Sequence, residues 1–189
     1  MIDTLCGQAV RGNDVVACFY IDFAVQEEQS PAAILGSVLR QVVSTLDEVP
    51  EGIVKAFRDR GKVIGGQRLP LTGIAEFLKD ITSSRRTFIC VDALDECKSR
   101  HRAMLLDLLN HILQRSPGTR LFLTGRQHIL DEVERHLGGR AATRSITPSK
   151  GDIITFLQEK LKEDTMPDEM DQSLQEEILK IIPETFSEV

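Results

Sequence analysis

The chain has 189 residues, of which 41% are hydrophobic and 28% charged, and a formal net charge of −6. This composition supports a packed core and excludes wholesale disorder, and the length fits one domain with the start of a second. The acidic balance without a Lys/Arg block argues against a nucleic-acid partner, no apolar stretch is long enough to cross a membrane, and no signal-peptide pattern opens the chain, so a cytoplasmic protein is expected.

Strand-like and helix-like segments alternate. Val15–Phe23 (VVACFYIDF) has the β-branched and aromatic content of a buried strand. Ser30–Leu46 reads as a helix with Ser30 as N-cap and Pro31 at its first position, burying a stripe of Ile34, Leu35, Val38, Leu39, Val42, Val43 and Leu46. A shorter helix over Glu51–Arg60 leads into a loop, Gly61–Pro70, and then a helix with Ile74, Phe77, Leu78 and Ile81 on one face. Thr87–Leu94 is a second strand. A helix over Arg100–Arg115 is expected to bury Leu105, Leu108, Leu109, Ile112 and Leu113, and Pro117-Gly118 separates it from a strand over Arg120–Thr124.

Gln127–Leu137 is helical until Gly138-Gly139, and Arg144–Thr147 reads as a last short strand. From Ser149 the pattern is wholly helical. Ser149 and Asp152 have the spacing of a capping box, with helices over Asp152–Glu163 and Asp171–Ile182. The alternation predicts an α/β domain with a parallel sheet flanked by helices over 1–148, and 149–189 as the start of a helical segment.

The second strand ends in three carboxylates, Asp92, Asp95 and Glu96. Carboxylates this close repel one another unless a cation or a positive partner holds them. In phosphoryl-transfer sites that cation is Mg²⁺, bound by an acid at the end of a buried strand while another acid positions the attacking water. The pattern looks like a Walker B element, although Asp92 and Asp95 also fit as caps of the following helix. Its usual companion, G-x-x-x-x-G-K-[ST], does not occur in the sequence. Gly61-Lys62 is followed by Val63 and has Ala56 in place of the first glycine, while Gly7 and Gly12 are followed by Asn13 and Asp14. Ile2–Ala9 reads as the helix that follows such a loop. The first strand and the phosphate loop are therefore expected to be missing, leaving a gap between the strands at Phe88 and Phe122.

Cys18 and Cys90 fall in strand-like runs as small core residues, Cys6 and Cys97 are isolated, and all four read as reduced thiols without metal spacing. His101, His111, His128 and His136 lie in polar helical settings and read as solvated surface residues.

The segments CFYIDFAVQEEQSPAAILGSVLRQVV, FICVDALDEC and RLFLTGR resemble the NACHT-type domains of the STAND class of P-loop NTPases. The likeness is to the nephrocystin-3-like N-terminal variety common in fungal proteins, and runs from about Ile2 to about Ile182. It implies a P-loop NTPase-like sheet and a nucleotide-dependent signalling switch that hydrolyses slowly, with Mg²⁺ and ATP (or GTP) as cofactors and ATP preferred. By resemblance Asp92 binds the metal, Glu96 polarises the attacking water with Asp95 as neighbour and substitute, and Arg126 is a sensor of the terminal phosphate with Thr124 as companion. Arg126 also fits a plain surface salt bridge. Self-association or pairing with NACHT-type proteins is implied as well.

The sequence departs from that pattern at Ala93, where many such domains have Gly, at the absent phosphate loop, and at PETFSEV after EEILKII. Without the loop the chain alone is not expected to be a competent NTPase. The alternatives are a non-catalytic regulatory module pairing with a full-length NACHT protein, or a piece of a longer protein whose upstream sequence carries the loop.

Overall fold

The computed structural model describes residues 7, 14–61, 69–163 and 171–186. The chain divides into two compact units, Met1–Ala142 and Thr143–Val189. Apart from Gly7, which is helical, the segment Ile2–Ala9 expected as a helix lies outside the described residues, as do Cys6 and most of the Gly61–Pro70 loop.

Three parallel strands form the sheet of the first unit: β1 (Val15–Tyr20), β2 (Thr87–Asp92) and β3 (Thr119–Leu123), in the order β1-β2-β3. β2 is central, with Cys90 beside Cys18 of β1 on one side and beside Phe122 of β3 on the other. The gap expected between the strands at Phe88 and Phe122 is therefore not present. An open slot inside the sheet would leave two rows of buried N–H and C=O groups without partners, and direct pairing of β2 with β3 satisfies them.

β1 ends sooner than its apolar run because Asp22 turns the chain, its carboxylate accepting the N–H of Ala24 at 2.8 Å to cap a 3₁₀ turn over Phe23–Val25. The outer edge of β1 is blunted by a side chain. Gln41 accepts the Cys18 N–H at 2.9 Å and donates to the Cys18 carbonyl at 2.8 Å, so its amide stands where a neighbouring strand would.

Gln41 belongs to α1 (Pro31–Val43), which starts as expected, with Ser30 Oγ accepting the Ala33 N–H at 3.3 Å and Pro31 in the first turn. The helix stops at Val43, so Leu46 lies beyond it. Next come α2 (Glu51–Gly61), α3 (Leu71–Ser83), α4 (Ser99–Arg115) and α5 (Leu130–Leu137). One core cluster joins Ala17, Ile89 and Val91 of the sheet to Ile34 and Val38 of α1, Leu78 of α3, and Leu105 and Leu109 of α4. Burial of each of the larger side chains stabilises by about 1.5–3 kcal/mol. On α4, Leu106 and Arg102 take buried positions, whereas Leu108 and Leu113 are only half-buried. The helix expected from Gln127 begins as a 3₁₀ turn (Gln127–Ile129) and ends, as the glycine pair predicts, with Gly138 at φ 61°.

In the second unit, Arg144–Thr147 is not a strand. It has no ladder partner among the described residues, and Ile146 is 85% exposed. α6 (Lys150–Lys162) and α7 (Gln172–Phe186) follow, the latter running through Pro183 rather than stopping before it. The capping box is complete: Ser149 Oγ accepts the Asp152 N–H at 3.2 Å, and Asp152 accepts the Ser149 N–H at 2.9 Å and its hydroxyl at 2.7 Å. The Ser149 hydroxyl, then its backbone N–H, hold the Asp152 carboxyl below its ordinary value.

A folded-state value that is depressed contributes stability above the ordinary carboxylate pKa of about 3.9, and the contribution is lost as the pH falls through the folded value. Ser149→Ala is expected to move the Asp152 titration upward when followed by side-chain carboxyl NMR. An unmoved midpoint would contradict the cap.

Candidate functional site

Parallel strands aligned in one direction bring their C-terminal ends to one edge, where α/β sheets place ligands. Here that edge carries Asp92 at the end of β2 and Thr124, Gly125 and Arg126 just beyond β3. Thr124 fastens the two strand ends together. Its N–H donates to the Val91 carbonyl at 3.1 Å, its carbonyl accepts the Leu94 N–H at 2.9 Å, and its Oγ1 accepts the Ala93 N–H at 3.0 Å. The Thr124 hydroxyl donates to Asp92 Oδ1. Thr124, which the resemblance makes a companion of Arg126, is thus in direct contact with Asp92.

Between Asp92 and the next turn, Ala93 adopts φ 54° and ψ 46°, the left-handed conformation. That reversal ends β2 at Asp92, short of the expected Leu94, and starts a 3₁₀ turn over Leu94–Glu96. The turn separates the acids. Asp95 accepts the Arg126 N–H at 3.2 Å and lies 3.4 Å from Arg126 Nε, with its own side chain 8% exposed and that of Arg126 80% exposed. Glu96 accepts the Phe23 N–H at 2.9 Å. Each carboxylate therefore has a donor of its own, from the segment after β3 for Asp92 and Asp95 and from the turn after β1 for Glu96. Separation and these internal donors reduce the repulsion among the three acids.

One glycine at this edge is closely packed. A Cβ on Gly125 would lie 2.7 Å from Ile129 Cδ1 and 3.4 Å from Asp95 Oδ1. The tip of the Ile129 side chain would have to shift to make room.

Among the described residues no group of three or more His, Cys, Asp or Glu side chains converges as a metal cage. Asp92 offers one carboxylate. That is compatible with Mg²⁺, which binds through one or two carboxylates and completes its shell with water and substrate phosphates.

The acidic turn rests on a residue that the sequence reading missed. Arg102 of α4 is 7% exposed, and its Nη1 donates to the carbonyls of Cys97 at 2.9 Å and Asp95 at 3.3 Å. Its Nε and Nη2 meet Glu132 of α5 at 2.8 and 2.7 Å. The signal lay in the spacing: Arg102 stands three and four positions before Leu105 and Leu106, inside the apolar stripe of its helix. Beside this pair the Cys97 thiol is pushed up, by burial first, with Arg102 pulling it down and Glu132 adding to the rise. Of the histidines, His111 and His128 are exposed as expected, whereas His101 and His136 are half-buried. His136, its side chain 18% exposed, is 2.6 Å from Asp107, and the exposed His111 is 3.3 Å from Glu76. Helix packing brings these carboxylates within reach across elements, which spacing along one helix does not reveal.

The family model described as nephrocystin 3, N-terminal, matches residues 1–126, which include Asp92, Asp95, Glu96, Thr124 and Arg126. No curated protein matches the chain.

Breaking a buried ion pair from one side leaves an uncompensated charge, at a cost of about 3–5 kcal/mol. Arg102→Met is expected to lower stability by that order in urea unfolding, and the double variant Arg102→Met/Glu132→Leu to recover part of it. Strictly additive losses would mean that the two residues do not act as a pair. At Ala93, the left-handed conformation costs a residue with a Cβ about 1–2 kcal/mol, partly offset by glycine's extra backbone entropy of about 0.5–1 kcal/mol. Ala93→Gly should therefore raise stability by up to about 1 kcal/mol and Ala93→Val should lower it. A glycine variant less stable than the parent would overturn this account.

Proposed function

The chain belongs to the nephrocystin 3 N-terminal family, and from that membership we propose that it is part of a NACHT-type, nucleotide-dependent signalling switch of the STAND class of P-loop NTPases. The observation that carries this reading is the meeting of Asp92 with Thr124, and of Asp95 with Arg126, at the C-terminal edge of a parallel sheet.

In this reading Asp92 is the protein's ligand to Mg²⁺, aimed by the Thr124 hydroxyl. The ion supplies neutralisation of charge on the phosphate oxygens when bound. Glu96 accepts the proton of the attacking water, and must exchange its hydrogen bond from the Phe23 N–H to do so. Asp95 holds the backbone and side chain of Arg126, whose exposed guanidinium is the group that reaches the terminal phosphate. ATP is preferred over GTP because the acid next to the metal ligand suits NTPases that activate water with a carboxylate.

The sequence contains no G-x-x-x-x-G-K-[ST], so the Lys and Ser/Thr that bind phosphates must come from outside these 189 residues. Phosphate contacts provide much of the transition-state stabilisation in such reactions. The chain by itself is accordingly inactive. A second reading, a non-catalytic module pairing with a NACHT-type protein, is favoured by one fact: Asp92, Asp95 and Glu96 each already have a donor within the chain.

A titration of the folded chain with fluorescent ATP and ADP analogues and Mg²⁺ separates the readings. The nucleotide switch predicts weak binding that Asp92→Asn reduces further, with no turnover. No binding up to millimolar nucleotide sinks it for this chain and leaves the pairing module.

A further inference from the structure

We propose that Cys18 and Cys90 form an oxidisable dithiol that a peroxide closes to a disulfide. They are register partners across β1 and β2, and both are thiols in the structure. Neighbouring strands lie about 4.8 Å apart, and a disulfide joins Cα atoms about 4.4–6.8 Å apart. Residues directly opposite each other project from the same face of a sheet, so the two side chains leave neighbouring strands on one face. That face is the one turned away from the main core, since the alternate residues Ala17, Ile89 and Val91 belong to the core cluster.

The two thiols differ in access. Cys18 is half-buried and Cys90 is 1% exposed. A peroxide therefore meets Cys18 first. The Cys18 sulfur attacks the O–O bond, which breaks to give a sulfenic acid and one water. The Cys90 sulfur then attacks the Cys18 sulfur, the S–O bond breaks, and a second water leaves with the remaining thiol proton. The two thiols together lose two hydrogens, and hydrogen peroxide is reduced to two waters. Geometry favours closure over further oxidation because the resolving thiol is already the strand neighbour. Gln41 adds to this by holding the Cys18 backbone from the other side at 2.9 and 2.8 Å, so β1 is not free to peel from β2. Cys97 has no such arrangement: it lies outside the sheet, after the acidic turn, with its thiol pushed up by burial. The proposal does not depend on whether the chain binds nucleotide.

The test treats the reduced full chain with hydrogen peroxide, blocks the remaining thiols with iodoacetamide and maps the non-reduced digest by mass spectrometry. The expected product is a peptide pair joined through Cys18 and Cys90, lighter by two hydrogens, formed in most chains and reversed by dithiothreitol. Cys18→Ser should abolish it with the fold retained by circular dichroism. Any of three results overturns the proposal: Cys18 carried to sulfinic or sulfonic acid while Cys90 remains alkylatable on unfolding, a bond to Cys6 or Cys97 instead, or no oxidation of either residue.

Discussion

A strand buried between two neighbours is stable only if its N–H and C=O groups find partners on both sides, and β2 meets that condition in full register with β1 and β3. The fold around it follows from this. Ile89 and Val91 set one face against α1, α3 and α4, so the helices are ordered by the strand they cover. The same pairing decides where Asp92 stands, because the last rung of the β1–β2 ladder is Tyr20 with Asp92. The chemistry at the sheet edge is thus a consequence of backbone pairing several residues away.

Acid groups packed close together would ordinarily argue for a bound cation. The local backbone also gives each acid a donor within the chain. The left-handed Ala93 turns the chain sharply, and the following 3₁₀ turn sends Asp95 toward Arg126 and Glu96 toward the Phe23 N–H. The buried Arg102 holds that turn from beneath through two carbonyls while its own charge is balanced by Glu132. Burying a guanidinium is unfavourable unless it is paired and its donors are used, and here both conditions hold. The result is a support for a set of acids of which Asp92 and Glu96 remain half-buried at the edge while the Asp95 side chain is covered. Rigidity beneath and access above suit either a nucleotide or a protein partner.

Much of the local structure was legible in the sequence because it is fixed by short-range physics. Ser30 and Pro31 specify a helix start, Ser149 and Asp152 a capping box, and Gly138 a helix stop, each through hydrogen bonds or dihedral limits confined to a few residues. The apolar stripe of α1 names its buried face for the same reason. Arg144–Thr147 shows where this runs out: its residues permit a strand, but a strand exists only where a neighbour pairs with it.

The sequence by itself determined the alternating α/β order, the position of the acidic strand end and the absence of a phosphate-binding motif, since these reside in residue type and spacing. Only the tertiary structure decided that β2 pairs directly with β3, that Asp95 and Arg126 form one unit, that Arg102 supports the acidic turn and that Cys18 lies beside Cys90. Each of these joins residues far apart in the chain. Such contacts depend on which strands and helices become neighbours, and periodicity along one segment carries no information about the segment it will meet.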